Sequence, residues 1–232
     1  MRPDSLTIRE AEACVIGADG RREQRAYSVL AEHTLSISLD GLLWKRVVCT
    51  RGDLREMLAG NLFTELRIDR AEEITRLELS EDEASAEICV APGPFPRRKL
   101  QKFTKSADWR PEWVRSLANR LREGMPLYQE TFAAHCAFLS RAGEILFACE
   151  DISRHNAVDK VLGHALLRGV PPGECMLFTS GRVPADMAEK AVAAGVPVLV
   201  SKAGPTADAV SLARTYGLTL IGCAREDGFA VF

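Results

Sequence analysis

The sequence predicts an α/β protein whose C-terminal half is built on a buried, mostly parallel sheet. From Glu144 onward, short and nearly continuous apolar runs alternate with segments of helical period, the pattern of strands covered on both faces. Before residue 91 the pattern differs: strict period-two alternation and hairpin punctuation mark a smaller α+β unit. Between the two lies a proline-rich basic stretch. The organisation expected is an N-terminal α+β domain over 1–91, a basic loop or linker over 92–111 and an α/β domain over 112–232.

Taken in order, Leu35 to Leu39 alternates strictly, Asp40-Gly41 is a two-residue hairpin signal, and Leu42 to Cys49 returns as the partner strand. Gly52-Asp53 supplies a cap for a helix that places Leu54, Met57, Leu58 and Leu62 on one face. Ile74 to Ser80 and Ala86 to Val90 read as two further strands. Ala91 to Lys105 has no apolar period and reads as an exposed loop. Pro111 then opens a helix with Trp113, Leu117 and Leu121 inward and Gly124 as its stop. Strands follow at Ile145–Cys149, Cys175–Thr179, Pro197–Val200 and Leu218–Cys223, with helices at His155–Arg168, Ala185–Ala194 and Thr206–Tyr216 between them.

Ligands of open α/β sheets sit beyond the carboxyl ends of the strands. Here each such end presents a cation: Arg154, Arg182, Lys202 and Arg225. Three of the four run into helix starts, whose free N–H groups and positive dipole end suit phosphate. Four cations and three helix starts on one edge predict a polyanionic ligand. A net charge of -2 gives no overall attraction to nucleic acid or membrane, so binding must come from this local clustering.

The N-terminus lacks the apolar core of a signal peptide, and no apolar run approaches a membrane span, so the expectation is a cytoplasmic protein. The seven cysteines (14, 49, 89, 136, 149, 175 and 223) are scattered and odd in number, which suits reduced thiols. The closest pair, Cys136 and Cys149, is 13 positions apart, so there is no Cys-x-x-Cys, and no metal-ligand set is predicted.

Glu150-Asp-Ile-Ser-Arg-His-Asn-Ala-Val-Asp-Lys-Val-Leu-Gly163 closely resembles the signature of the FdhD/NarQ family of formate dehydrogenase accessory proteins. Thr179-Ser-Gly-Arg-Val183, Pro197 to Ser201, Pro205-Thr206 and Leu218 to Gly222 match that family's later blocks in order, with weaker similarity at Cys49 to Leu54 and Gly60 to Glu65. The resemblance implies a cytidine deaminase-like three-layer α/β/α main domain and a homodimer. It also implies a sulfur carrier that takes sulfur from a cysteine desulfurase. The recipient would be the bis-molybdopterin guanine dinucleotide cofactor of molybdenum, before its insertion into formate dehydrogenase or a related molybdenum enzyme. A guanine nucleotide would then mimic the cofactor.

Carried over residue by residue, the family's cofactor-binding stretch falls on Cys223, Ala224, Arg225, Glu226, Asp227 and Gly228, the last replacing a frequent second basic residue. Ser180, Gly181 and Arg182, the Arg154-His155 pair and Lys202 are the next candidates. The chain departs from the family in two places. The loop after the last N-terminal strand, Ala91 to Lys105, contains no cysteine where relatives carry the persulfide-bearing pair. Cys89 and Cys136 are weak substitutes: Cys89 lies in a strand pattern, and Cys136 follows His135 with its side chain turned the other way. The usual Thr-Gly-Gly-x-His reads Thr131-Phe-Ala-Ala-His135, which alters a pocket wall.

Three functions therefore compete. One is sulfur transfer through an unorthodox cysteine; another is cofactor binding without sulfur transfer. The third, a zinc-dependent deaminase, lacks the His-x-Glu and Cys-x-x-Cys it needs.

Overall fold

The computed structural model describes residues 6–104, 108–123 and 125–232, so the expected helix stop at Gly124 and the end of the basic loop at Lys105 lie outside the described residues. Strands β1 (Ile8–Ile16) and β2 (Arg22–Leu30) form an antiparallel hairpin that sequence reasoning missed. Most of its side chains are exposed, so no buried face imposes an apolar alternation.

A four-stranded sheet follows, in the order β4-β3-β6-β5. Its strands are β3 (His33–Leu39), β4 (Leu42–Cys49), β5 (Ile74–Leu79) and β6 (Ser85–Val90). Asp40 and Gly41 take φ of 51° and 80°, the left-handed pair that a two-residue hairpin demands. Helix α1 (Leu54–Thr64) buries Leu54, Met57, Leu58 and Leu62 as expected. Asp53 occupies its N-cap position in the left-handed region (φ 51°), but its side chain makes no bond to the helix. That corrects the capping role expected of it.

The second sheet has six strands, β12-β11-β10-β9-β7-β8. They are β7 (His135–Arg141), β8 (Glu144–Asp151), β9 (Met176–Thr179), β10 (Val198–Ser201), β11 (Thr219–Gly222) and β12 (Ala230–Val231). Only the β9–β10 and β10–β11 pairs are parallel; β7 is antiparallel to both β8 and β9, and β12 to β11. The expectation of a mostly parallel sheet is corrected to a mixed one. The reason is β7, which pairs with β8 through the Ala142-Gly143 turn (φ 51° and 84°) and so inserts between β8 and β9. Because β7 is antiparallel to both neighbours, β8 still points the same way as β9, β10 and β11.

Helices α4 (Arg154–Leu167), α5 (Ala185–Ala194) and α6 (Ala207–Tyr216) cover one face of this sheet, and α2 (Pro111–Glu123) covers the other. Short α3 (Pro126–Thr131) leads into β7. Ala137, Leu139, Leu177, Leu199 and Leu220 share a core with α1, α4, α5 and the inner face of the four-stranded sheet. Phe138, Met176, Phe178, Val198 and Val200 face Val114, Leu117 and Leu121 of α2. Helices α1 and α4 touch backbone to backbone at Gly60 and Gly163: a Cβ on either would lie 1.9 or 1.8 Å from a carbonyl oxygen of the other helix.

The stretch after β6 is irregular, as expected, but it is not free. Arg97 donates from its backbone N–H to the Leu66 carbonyl (2.9 Å) and from Nε to that of Arg67 (3.1 Å). Arg98 pairs with Asp69 and donates to the Phe63 and Ala193 carbonyls. Leu100 and Phe103 pack against the core. The arginines read as exposed are buttresses. No helix among the described residues is long and apolar enough to cross a membrane.

Candidate functional site

The carboxyl ends of β8, β9, β10 and β11 and the start of β7 meet at one edge of the six-stranded sheet, where a cavity of about 900 Å³ opens. Helix α2 floors it with Ala118 and Leu121, and the α3–β7 segment walls it with Tyr128, Phe132 and His135. Ser180, Lys202, Arg225, Glu226 and Asp227 also line it, with Cys136 and Ala224 among their neighbours there. Phe132, where the family resemblance implied glycine, sits at φ 54° with 77% of its surface exposed, and meets Tyr128 edge to face at 5.8 Å.

Of the four strand-end cations, Lys202 and Arg225 line this cavity, whereas Arg154 and Arg182 do not. Arg182 is exposed beside it. Arg154 lies across Gly181 so closely that a Cβ there would come within 2.4 Å of its Cδ. None of the four forms an ion pair with a described residue, and Arg154 Nε is buried without a hydrogen-bond partner among them. The lining is thus less purely cationic than expected, because Glu226 and Asp227 face the same space as Lys202 and Arg225.

The helix starts also differ from expectation. Thr206 caps α6 by accepting from the Ala209 N–H (3.3 Å), but Ser153 makes no cap bond to α4 and α5 begins after Pro184. Ser180 Oγ accepts from the Cys136 N–H (3.0 Å) and bonds His135 Nδ1 (3.1 Å). Burial, reinforced by Arg154, pushes the His135 imidazole below its ordinary pKa, so it is neutral near neutral pH. Strand β7 starts at this edge and brings His135 into the lining. His155 points elsewhere, half-buried with Nε2 3.8 Å from Asp186. Gly228 accepts from the Arg225 N–H (2.8 Å), closing the turn that presents residues 225–227.

The longest sequence signature is mostly structural. Asp151 (0% exposed) accepts from the Thr50 N–H (3.0 Å), the Ser153 N–H (2.9 Å) and Asn156 Nδ2 (2.9 Å). Lys160 (1% exposed) pairs with it at 2.8 Å and donates to the carbonyls of Thr50 (3.2 Å) and Glu150 (3.1 Å). Asp159 accepts from Asn61 (3.0 Å), Thr64 (3.0 Å) and Lys190 (2.8 Å). Glu150 receives the Leu127 and Tyr128 N–H groups at the start of α3, and its burial raises its pKa. These side chains clamp the N-terminal segment onto the sheet and fix the cavity wall.

The thiols divide clearly. Cys49, Cys136, Cys149 and Cys175 are buried, Cys89 is half-buried, and Cys14 and Cys223 are exposed. Burial, with Glu150 adding to it, pushes the Cys136 thiol up to about 12, which removes its thiolate at neutral pH. Cys89 accepts the Thr75 hydroxyl on its backbone carbonyl (3.1 Å) inside β6, as its strand pattern implied. Cys223 lies just past β11 at φ 54°, two residues before Arg225.

A model of the FdhD/NarQ family matches residues 94–232. The sulfur carrier protein FdhD of Streptomyces avermitilis is 30% identical over 253 residues, covering 92% of this chain and 90% of its own. That of Methanothermobacter thermautotrophicus is 30% identical over 230 residues, covering 92% of each. A crystal structure from Desulfotalea psychrophila, assigned as a formate dehydrogenase accessory protein, superposes with a TM-score of 0.83 at 28% identity over 97% of this chain and 96% of that one. Sequence blocks, fold and full-length relatives agree: the chain belongs to the FdhD/NarQ family.

Proposed function

We propose that this chain is a sulfur-carrier-type accessory protein for formate dehydrogenase. On this reading its carboxyl-edge cavity binds a guanine dinucleotide end of the bis-molybdopterin guanine dinucleotide cofactor. The observation that carries the reading is the cavity itself, which joins two cations without an ion-pair partner among the described residues, Lys202 and Arg225, to aromatic surface from half-buried Tyr128 and exposed Phe132. Its volume suits a nucleotide-sized ligand. Arg154 Nε, buried without a hydrogen-bond partner among the described residues, leaves a further donor beside Gly181, and Asp227 offers a carboxylate to the ring N–H groups that distinguish guanine. The layering of α2, the six-stranded sheet and α4–α6 supports the cytidine deaminase-like description. A cytoplasmic homodimer served by a cysteine desulfurase belongs to the same proposal.

Arg225→Ala is expected to weaken binding of guanosine diphosphate by about 1.5–3 kcal/mol, roughly 10- to 150-fold, in isothermal titration calorimetry. Arg182→Ala, outside the cavity lining, should cost less. Unchanged affinity in Arg225→Ala would remove the phosphate role.

For sulfur transfer, Cys223 fits better than Cys89 or Cys136, being exposed and next to the phosphate-binding turn. Incubation with a cysteine desulfurase and cysteine should add the mass of one sulfur atom, and Cys223→Ser should abolish the addition. A second reading, cofactor binding without sulfur transfer, is favoured by the absence of cysteine between Ala91 and Lys105. A full-length protein that gains no sulfur mass would establish it.

A further inference from the structure

We infer that Asp53, Cys149 and His164 form a binding site for a zinc-type divalent cation, outside the cavity and independent of the cofactor reading. The three side chains come from the turn before α1, from β8 and from α4, and their ligand atoms lie within 4.8 Å of one another. Sequence spacing could not signal this set, because its members are spread over more than a hundred positions. One thiolate, one imidazole and one carboxylate are the donors of a three-ligand zinc site that keeps a position for water.

The surroundings are built for such a group. Cys149 and His164 are buried, whereas the Asp53 side chain is 43% exposed and leaves an entry path. Asp53 does not cap α1; its Oδ1 is instead 3.1 Å from His164 Nε2. Phe147 stacks on the imidazole at 5.2 Å and 12°, which fixes the plane of the ring. Glu56 Oε1 lies 3.7 Å from His164 Nδ1, where a carboxylate can orient a metal-binding histidine through its second nitrogen.

Without a cation, Arg168 donates to His164 Nδ1, so Nε2 carries the ring proton and gives it to Asp53. The Cys149 thiol is held protonated by burial and by Asp53, with Lys160 opposing. A bound cation takes the Nε2 lone pair, moves the imidazole proton to Nδ1 toward Glu56, and releases the thiol proton to solvent. Exposed Arg168 must swing outward for that exchange. The guanidinium is therefore a competitor for the site, and its removal should strengthen binding.

The test is an anaerobic titration of the chelator-treated, full-length protein with Co²⁺. Expected is saturation at one equivalent, with a thiolate-to-cobalt charge-transfer band and the intense visible bands of a tetrahedral site, both erased by added Zn²⁺. Cys149→Ser should abolish the charge-transfer band, Glu56→Gln should weaken binding ~10–100-fold, and Arg168→Ala should tighten it. Asp53→Asn, on the open side, serves if the buried variants fail to fold; it should weaken binding without altering the circular dichroism spectrum. A charge-transfer band that survives Cys149→Ser, or binding that never saturates, overturns the site.

Discussion

Lys160→Met is expected to destabilise the protein by about 3–5 kcal/mol, measured as the shift in urea unfolding. The ammonium group is enclosed by the Asp151 carboxylate, the Thr50 hydroxyl and carbonyl and the Glu150 carbonyl. Methionine fills similar volume but leaves Asp151 buried, charged and without its counter-ion. A carboxylate stranded in that way costs far more than the pair contributes in net stability, because desolvation is no longer offset. Loss of less than about 1 kcal/mol would place the pair among exposed ion pairs.

Gly163→Ala should cost about 3 kcal/mol or more, with Gly60→Ala close behind. The added methyl would meet the Glu56 carbonyl at 1.8 Å, and at Gly60 the Asp159 carbonyl at 1.9 Å, so backbone rather than flexible side chain must yield. Separating α1 from α4 would also stretch the bonds that Asn61 and Thr64 make to Asp159. Gly173→Ala is the control: nothing lies within 4 Å of its Cβ position, and its effect should stay within about 0.5 kcal/mol. Thermal melts of the three variants decide the matter, and equal melting temperatures would refute the close approach.

Much of the frame was legible in the chain itself. The strands at β8 to β11, the helices between them and the Asp40-Gly41 hairpin follow from apolar periodicity and turn chemistry alone. The strand-end rule led to Lys202, Arg225 and Ser180 in the cavity lining. Other features depend on contacts that spacing does not encode. Strand β7 was missed although its apolar run, Cys136 to Leu139, is as long as the one read as a strand at Pro197–Val200; with the Ala142-Gly143 turn beyond it, that run was the available signal.

Asp151 and Lys160 look like surface charges until Thr50, about a hundred positions earlier, closes over them. Arg97 and Arg98 look like a basic linker until the carbonyls of residues 63–68 come within reach. Polar residues are read outward by default, and only tertiary packing reverses that reading.

The β7–β8 pairing slips by one residue between Leu139 and Ser140. Such a dislocation separates the two ends of the ribbon: a residue gained or lost at the Ala142-Gly143 tip can be taken up there before it propagates. Were it to propagate, His135 and Cys136 would exchange faces, putting a thiol where the imidazole now stands. The dislocation therefore separates the imidazole at the mouth from change at the tip, where Gly143 packs against the Trp113 ring.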